Sequence, residues 1–266
     1  MKTVYIYIIV ILTILNSENL NSQSIEIDYR VSVNTNDPIL ATSTIYKLIL
    51  EDNKSVYYNN NDSLKQFKYQ SFIEKTKKIG ELTLVKLSDN HYSYIKQDFM
   101  YKNYKKDTLI FNEIILNKKV IVGENINLFN WDVQSKSDTL ILNQKCFKAV
   151  TNFRGRTYEA FFTTELSQRG GPWKFDGLPG VILYVRSLDN YFIIKPEKII
   201  INNKKSEIKN PYIGEKIISW GKFKILFKKK LKQQLKKLKL LSSEGEKGSV
   251  EITDKIEYLG IDKMGF

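Results

Sequence analysis

One cysteine and one histidine are all that 266 residues provide. A lone thiol forbids any disulfide within the chain. Cys146 and His91 together fall short of a Cys/His zinc site, so no metal is expected. A Ser-His-Asp or Cys-His mechanism would have to run through His91. That residue lies in Asn90-His-Tyr-Ser-Tyr94, a turn entering a strand, and reads as a structural or surface side chain. Acid is also scarce, with 29 Asp and Glu against 42 Lys and Arg, for a net charge of +13. Such an excess attracts nucleic acid, anionic lipid or acidic polymers. Lys, Asn, Ile and Tyr are abundant together, however, which is also what an AT-rich genome encodes. Long apolar runs are absent but for one near the start. Val4 to Leu15 is apolar apart from Thr13, follows Met1-Lys2 and precedes a polar stretch to Ser24. These are the parts of a secretory signal peptide over residues 1–22, cut near Ser22 or Gln23. The run is short of the roughly 20 residues that span a bilayer. No cysteine follows it, which argues against a lipoprotein. Export in turn argues against nucleic acid as a partner.

What is present is a large apolar and aromatic fraction, 42% and 12%, enough for a sizeable core in one mainly-β domain over residues 23–266. Ile25, Ile27, Tyr29, Val31 and Val33 alternate with polar residues, as do Thr42, Thr44, Tyr46, Leu48 and Leu50. Both stretches read as half-buried strands. Hairpin-length spacing continues through Ser55–Tyr58, Leu82–Leu87, Tyr92–Lys96 and Phe99–Tyr104, which points to an antiparallel meander rather than βαβ units. Ser63–Gly80 reads as a short helix or loop. Leu128–Ser135, Thr139–Leu142, Lys145–Phe153 and Arg156–Thr163 form a further strand series. Arg154-Gly155-Arg156 is the expected hairpin turn, setting two guanidiniums side by side for a carboxylate or phosphate. Cys146 reads as a small buried apolar group.

Lys106-Asp-Thr-Leu-Ile-Phe-Asn112 resembles Ser137-Asp-Thr-Leu-Ile-Leu-Asn143. Paired Asp-Thr units suggest an aspartic protease, but that chemistry needs glycine after Thr, where Leu109 and Leu140 stand. Two hairpins with the same turn-to-strand chemistry explain the repeat better. Glu165 and Asp176 are a further candidate carboxylate pair, the acid and base of a hydrolase.

The densest signal is Arg169–Val185, RGGPWKFDGLPGVILYV. Gly171, Pro172, Gly177, Pro179 and Gly180 punctuate it, and Trp173, Phe175 and Leu178 mark a loop that packs. Leu178-Pro179-Gly180 predicts a type II turn with Gly180 at positive φ. Val181–Val185 predicts a buried strand. The spacing matches neither a dinucleotide fingerprint nor a phosphate-binding P-loop, so no cofactor is expected. Trp173, Lys174 and Asp176 are the loop's candidate contact residues, with Arg154, Arg156 and Glu165 nearby in the chain.

This stretch resembles the signature of the GLPGLI family, secreted proteins of Bacteroidetes. Trp131, Gln144-Lys-Cys-Phe-Lys-Ala149, Arg154-Gly-Arg156, Tyr158 and Phe162-Thr-Thr-Glu165 extend the resemblance over roughly residues 128–195. Val181 stands in place of the usual Leu, Phe162 in place of Trp or Tyr, and Leu166-Ser-Gln168 lacks the usual proline. The resemblance implies an exported protein and carries no enzymatic activity with it.

Near the end, Trp220, Phe223, Phe227, Leu231, Leu235, Leu238 and Leu241 step by three or four, which predicts an amphipathic helix over 219–243 capped by Ser219. Its other positions hold nine lysines and no acid. Such a helix either packs on the sheet with a solvated lysine face or lies on an anionic membrane. The expected architecture is α+β, mainly antiparallel: a curved sheet or half-barrel with this helix packed on it. The expected function is non-enzymatic, binding an apolar or amphiphilic ligand in the periplasm or envelope, or assisting an outer-membrane transporter.

Overall fold

The computed structural model describes residues 23–34, 41–59, 76–79, 82–87, 99–115, 118–134, 139–204, 206–241, 247–252, 256–259 and 263–265. The signal-peptide stretch, His91 and the strand expected at Tyr92–Lys96 lie outside them. The strands in chain order are β1 (Ser24–Val33), β2 (Thr42–Glu51), β3 (Lys54–Asn59), β4 (Thr76–Ile79), β5 (Leu82–Leu87) and β6 (Phe99–Asn103). There follow β7 (Thr108–Ile115), β8 (Lys118–Glu124), β9 (Asp132–Val133), β10 (Thr139–Ile141), β11 (Gln144–Phe153) and β12 (Arg156–Thr163). The rest are β13 (Val181–Ser187), β14 (Phe192–Asn202), β15 (Ile217–Ser219), the helix α1 (Trp220–Leu241), β16 (Lys247–Ile252) and β17 (Lys263–Gly265).

One open sheet dominates, in the order β10-β11-β12-β13-β14-β1-β2-β3-β6-β7-β8-β15, with β9 beside β11. A smaller sheet runs β17-β16-β5-β4. All pairings are antiparallel except β15 with β8 and β16 with β5. The expected α+β architecture is therefore what the chain adopts. Two readings change. Thr76–Ile79, inside the stretch read as helix or loop, is a strand paired with β5. The strand expected over Leu128–Ser135 shrinks to Asp132–Val133, because Phe129 and Trp131 turn inward to stack on each other and on Phe175.

Strand periodicity sorts the two faces. Ile25, Ile27, Tyr29, Leu48, Leu50, Leu109 and Phe111 are buried on the inner face. Val56, Tyr101, Ile110 and Ile121 point the other way and are covered by Ile208 and Tyr212 of the segment after β14. Register shifts at Asp28/Tyr29 and Phe161/Phe162 mark bulges, which bend and twist a sheet locally. The inner face is covered by the 164–180 loop, through Leu166, Trp173, Phe175 and Leu178, and by α1, through Phe223, Phe227, Leu231 and Leu235. A fully buried side chain of this size contributes about 1.5–3 kcal/mol, so loop and helix together hold the open sheet in shape. Ser219 Oγ accepts from Lys222 N at 3.3 Å, the N-cap expected from sequence.

Candidate functional site

The loop between β12 and β13 enters the sheet's inner side. Its ends are clamped: Gly170 N donates to Gly180 O (3.1 Å) and Ile182 N to Gly170 O (2.8 Å). Between them Phe175 N donates to Pro172 O at 3.1 Å, closing a turn whose second residue, Trp173, has φ 51°. Left-handed backbone costs a bulky residue roughly 1–2 kcal/mol. The cost is offset by the burial of Trp173 against Phe153, Phe175 and Phe192.

The type II turn expected at Leu178-Pro179-Gly180 is not formed as expected. Gly180 lies outside the positive-φ region, and Gly177 takes it instead at 88°. Gly180 is required for another reason. A Cβ there would sit 2.0 Å from the Thr163 carbonyl oxygen. Gly171 is similarly pressed, by Ile182 and the Phe175 carbonyl. Close approach of the loop to β12 and β13 selects these glycines. Pro172 and Leu178 are buried within it.

Two buried ionic groups flank the loop. In the first, Lys102 Nζ donates to Asp176 Oδ2 (2.8 Å), Phe175 O (2.8 Å) and Gly171 O (3.0 Å). Asp176 also accepts from Tyr104 Oη (3.1 Å) and Gly177 N (2.9 Å), and Trp131 Nε1 donates to its carbonyl (2.8 Å). Burial pushes the Lys102 pKa below the ordinary lysine value, with Asp176 opposing the shift. Burial likewise pushes Tyr104 well up, and the Asp176 charge adds to it. Every polar atom of this group is satisfied, and the group fixes the loop.

The second group lies beneath α1. Lys174 pairs with Glu257 and lies 3.8 Å from Glu124 Oε2 and 4.0 Å from Glu113 Oε1. Arg154 pairs with Glu124 and Glu257. Both cations rest on rings, Lys174 over Phe111 (3.9 Å) and Trp220 (4.4 Å), Arg154 over Trp220 (4.1 Å) and Phe153 (4.7 Å). Burial lowers the Arg154 pKa, but Glu257 and Glu124 more than offset it and hold the guanidinium charged.

Beside this group lies a cavity of about 200 Å³ between the sheet's inner face and α1. β1 and β2 supply Val31, Val33, Thr42, Thr44 and Tyr46, and β3 supplies Tyr57. The helix supplies Trp220, Phe223 and Phe227, and the loop Trp173. Among the described residues, Glu113 and Glu257 are the charged ones on its wall. Thus the face read from the alternation of β2 is divided. Leu48 and Leu50 are core, and Thr42, Thr44 and Tyr46 line the cavity.

The candidates from sequence scatter. Trp173 lines the cavity, and Lys174 and Arg154 meet beside it over Trp220. Arg154 and Arg156 do flank the β11–β12 turn, with φ 43° at Arg154 and 89° at Gly155, but their guanidiniums part. Arg156 pairs with Asp189 and stacks on Tyr191 (3.9 Å). The side-by-side arrangement expected from sequence is thereby corrected. Glu165 is exposed and accepts from Lys145 N (2.7 Å), while Asp176 is buried against Lys102. The two carboxylates engage different partners. Lys102, Glu113, Glu124 and Glu257 were missed. Three of them carry a signal in hindsight: Lys102 follows Met100, Glu113 follows Phe111 and Glu124 follows Val122 by two residues, which puts each on the inner face of its strand.

No family model and no curated protein matches the chain. Among solved structures it is similar to PNGF-II in its P21 crystal form, with a TM-score of 0.50 and 17% identity over 79% of this chain and 34% of that one. The C2 form gives 0.49 and 18% over 79% and 33%. An outer membrane lipoprotein-sorting protein domain from Vibrio parahaemolyticus gives 0.28 and 7% over 74% and 91%, too slight to bear on fold or function. The alignment spans about a third of the length of PNGF-II, and at this identity the likeness is one of fold alone.

Proposed function

We propose that the chain is an exported envelope protein of the GLPGLI type that binds a small apolar or amphiphilic ligand between its sheet and α1. The observation that carries this reading is the cavity of about 200 Å³ walled by Tyr46, Tyr57, Trp173, Phe223 and Phe227. An apolar cavity of about 150 Å³ suffices for benzene, so this one takes a ring or a short acyl segment. Convergent polar groups at one end, Glu113 and Glu257, would fix the orientation of such a ligand. The basic start and apolar run of residues 1–15 support export, and the motif at 169–185 supports the family. Native mass spectrometry of the mature protein, purified from the envelope of its own host, tests the reading. An adduct lost on mutating Phe223→Lys is expected; a bare protein under conditions that preserve other carriers' ligands overturns it.

A second surface favours a membrane contact. Lys222, Lys224, Lys228, Lys229, Lys232, Lys236 and Lys237 are exposed on α1, away from its buried apolar stripe. Each basic residue near an anionic leaflet contributes about 1 kcal/mol. Co-sedimentation with vesicles containing phosphatidylglycerol should fall steeply between low and physiological salt. Binding indifferent to salt and to lipid charge sinks this contact.

A further inference from the structure

We infer that the outer face of the large sheet carries a separate site, a groove that takes a small monocarboxylate on an aromatic or apolar body. It stands independently of the cavity under α1. The groove has a volume of about 410 Å³ and lies between β10 and β14. Strand register builds it. Lys148 on β11 lies opposite Phe161 on β12, and Phe161 opposite Tyr184 on β13. Val185 pairs with Ile194, which brings Lys195 of β14 up beside Tyr184. A lysine, two aromatics and a lysine thus stand in one row across four strands, on the face opposite the core-facing Ala160 and Phe162. The two rings meet edge to face at 5.8 Å, and Leu140, Leu142 and Pro196 complete the apolar wall.

The hairpin presents its leucines at a local cost. Leu142 and Asn143 form the turn between β10 and β11, with φ of 49° and 63°. Such a turn ordinarily takes Asn and Gly. Trp173 offsets the same backbone cost by burial, whereas Leu142 stays 43% exposed and Leu140 72%. An apolar surface held out in this way, continuous with Phe161 and Tyr184, marks a contact site.

Charge decides the head of the occupant. Among the described residues, Lys195 is the charged one on the groove's wall, and it makes no hydrogen bond or ion pair with them. The Tyr184 hydroxyl likewise has no hydrogen-bond partner among them. In the neighbouring row the Glu159 carboxylate is already shared by Lys148 (2.8 Å) and Arg186. An ammonium head would meet like charge at Lys195. A carboxylate accepts from the Lys195 ammonium and the Tyr184 hydroxyl while its body covers the rings and leucines. Charge-assisted hydrogen bonds are about twice as strong as neutral ones, so the anion is selected over a neutral ligand of the same shape.

The test titrates 4-phenylbutyrate and neutral 4-phenylbutanol into the mature protein at neutral pH and follows the methyl resonances of Leu140 and Leu142 by NMR. Both methyl sets are expected to shift, with the butyrate binding about tenfold more tightly, the scale of one charge-assisted hydrogen bond. Lys195→Gln should remove most of that preference, and Leu140→Ser should weaken both probes. Both side chains are exposed, so the denaturation midpoint of each variant should stay close to the parent's. Equal binding of the two probes overturns the anionic head. Unmoved leucine methyls overturn the site, including the case in which Trp173 and Trp220 fluorescence reports binding in the cavity instead. A preference that survives Lys195→Gln overturns the role of Lys195.

Discussion

Lys102 on β6 and Asp176 in the loop before β13 form a buried ion pair, Nζ to Oδ2 2.8 Å, with side chains 1% and 7% exposed. The pair joins a strand to a loop 74 residues away and seals the loop's backbone carbonyls inside the sheet. Removing one partner of such a pair strands the other, which costs more than the pair itself contributes. Lys102→Met is therefore expected to lower stability by about 3–5 kcal/mol, read from urea denaturation. Losses under 1 kcal/mol would mean that the loop is held by its aromatics alone.

Asp176→Asn should show a distinctive pH dependence. Lys102 already has a pKa below the ordinary lysine value, and losing its counter-charge lowers it further. Between that folded pKa and the ordinary value, the unfolded chain binds the extra proton, so stability rises with pH there. The deficit of the variant against the parent should accordingly shrink from pH 7 to pH 9.5. A deficit that is flat with pH would show that Lys102 does not titrate in this window.

Gly177 and Gly180 separate two reasons for glycine. Gly177→Ala makes only an ordinary contact, with Trp131 3.9 Å from the added carbon, and carries the positive-φ cost, about 1 kcal/mol. Gly180→Ala drives a Cβ to 2.0 Å from backbone at Thr163 and should cost about 3 kcal/mol or prevent folding. Comparable melting temperatures for the two variants would contradict the close approach.

Cys146 should be inert in the folded state. Burial pushes its thiol up from 9.0 to about 11, so its stabilising contribution is complete below pH 9 and is lost as pH rises toward 11. At pH 8, iodoacetamide labelling of the native protein should be about a hundredfold slower than in denaturant, since the thiolate is the nucleophile. Rapid native labelling would place the thiol outside the core.

Lys174→Met leaves Glu257 and Glu124 facing each other with Arg154 as their remaining cation. The expected loss is about 3–5 kcal/mol, read from urea denaturation. A loss under about 1 kcal/mol would show that the Lys174 charge is not needed to hold Glu257 and Glu124 together.

Alternation of Ile25 to Val33 and of Thr42 to Leu50 predicted two strands and their inward faces, because a strand's period is set by local backbone geometry. The stepping of Phe223, Phe227, Leu231 and Leu235, with Ser219 ahead, predicted α1 and its cap for the same local reason. The packed aromatic loop and the buried strand at Val181 were also legible, since Trp173, Phe175 and Leu178 beside glycines have few other uses. What the loop's glycines are for was not. Gly180 is fixed by the nearness of Thr163, a contact created only when β12 and β13 pair. Nor could the chain order show that Lys102, Glu113, Glu124 and Glu257 converge on residues 154 and 173–176. Each lies on an inner strand face or in the segment after α1, and only the order β3-β6-β7-β8 with the helix laid across it brings them together. Local sequence determined which faces are apolar; tertiary structure decided which charges are buried against one another, because that depends on which strands become neighbours.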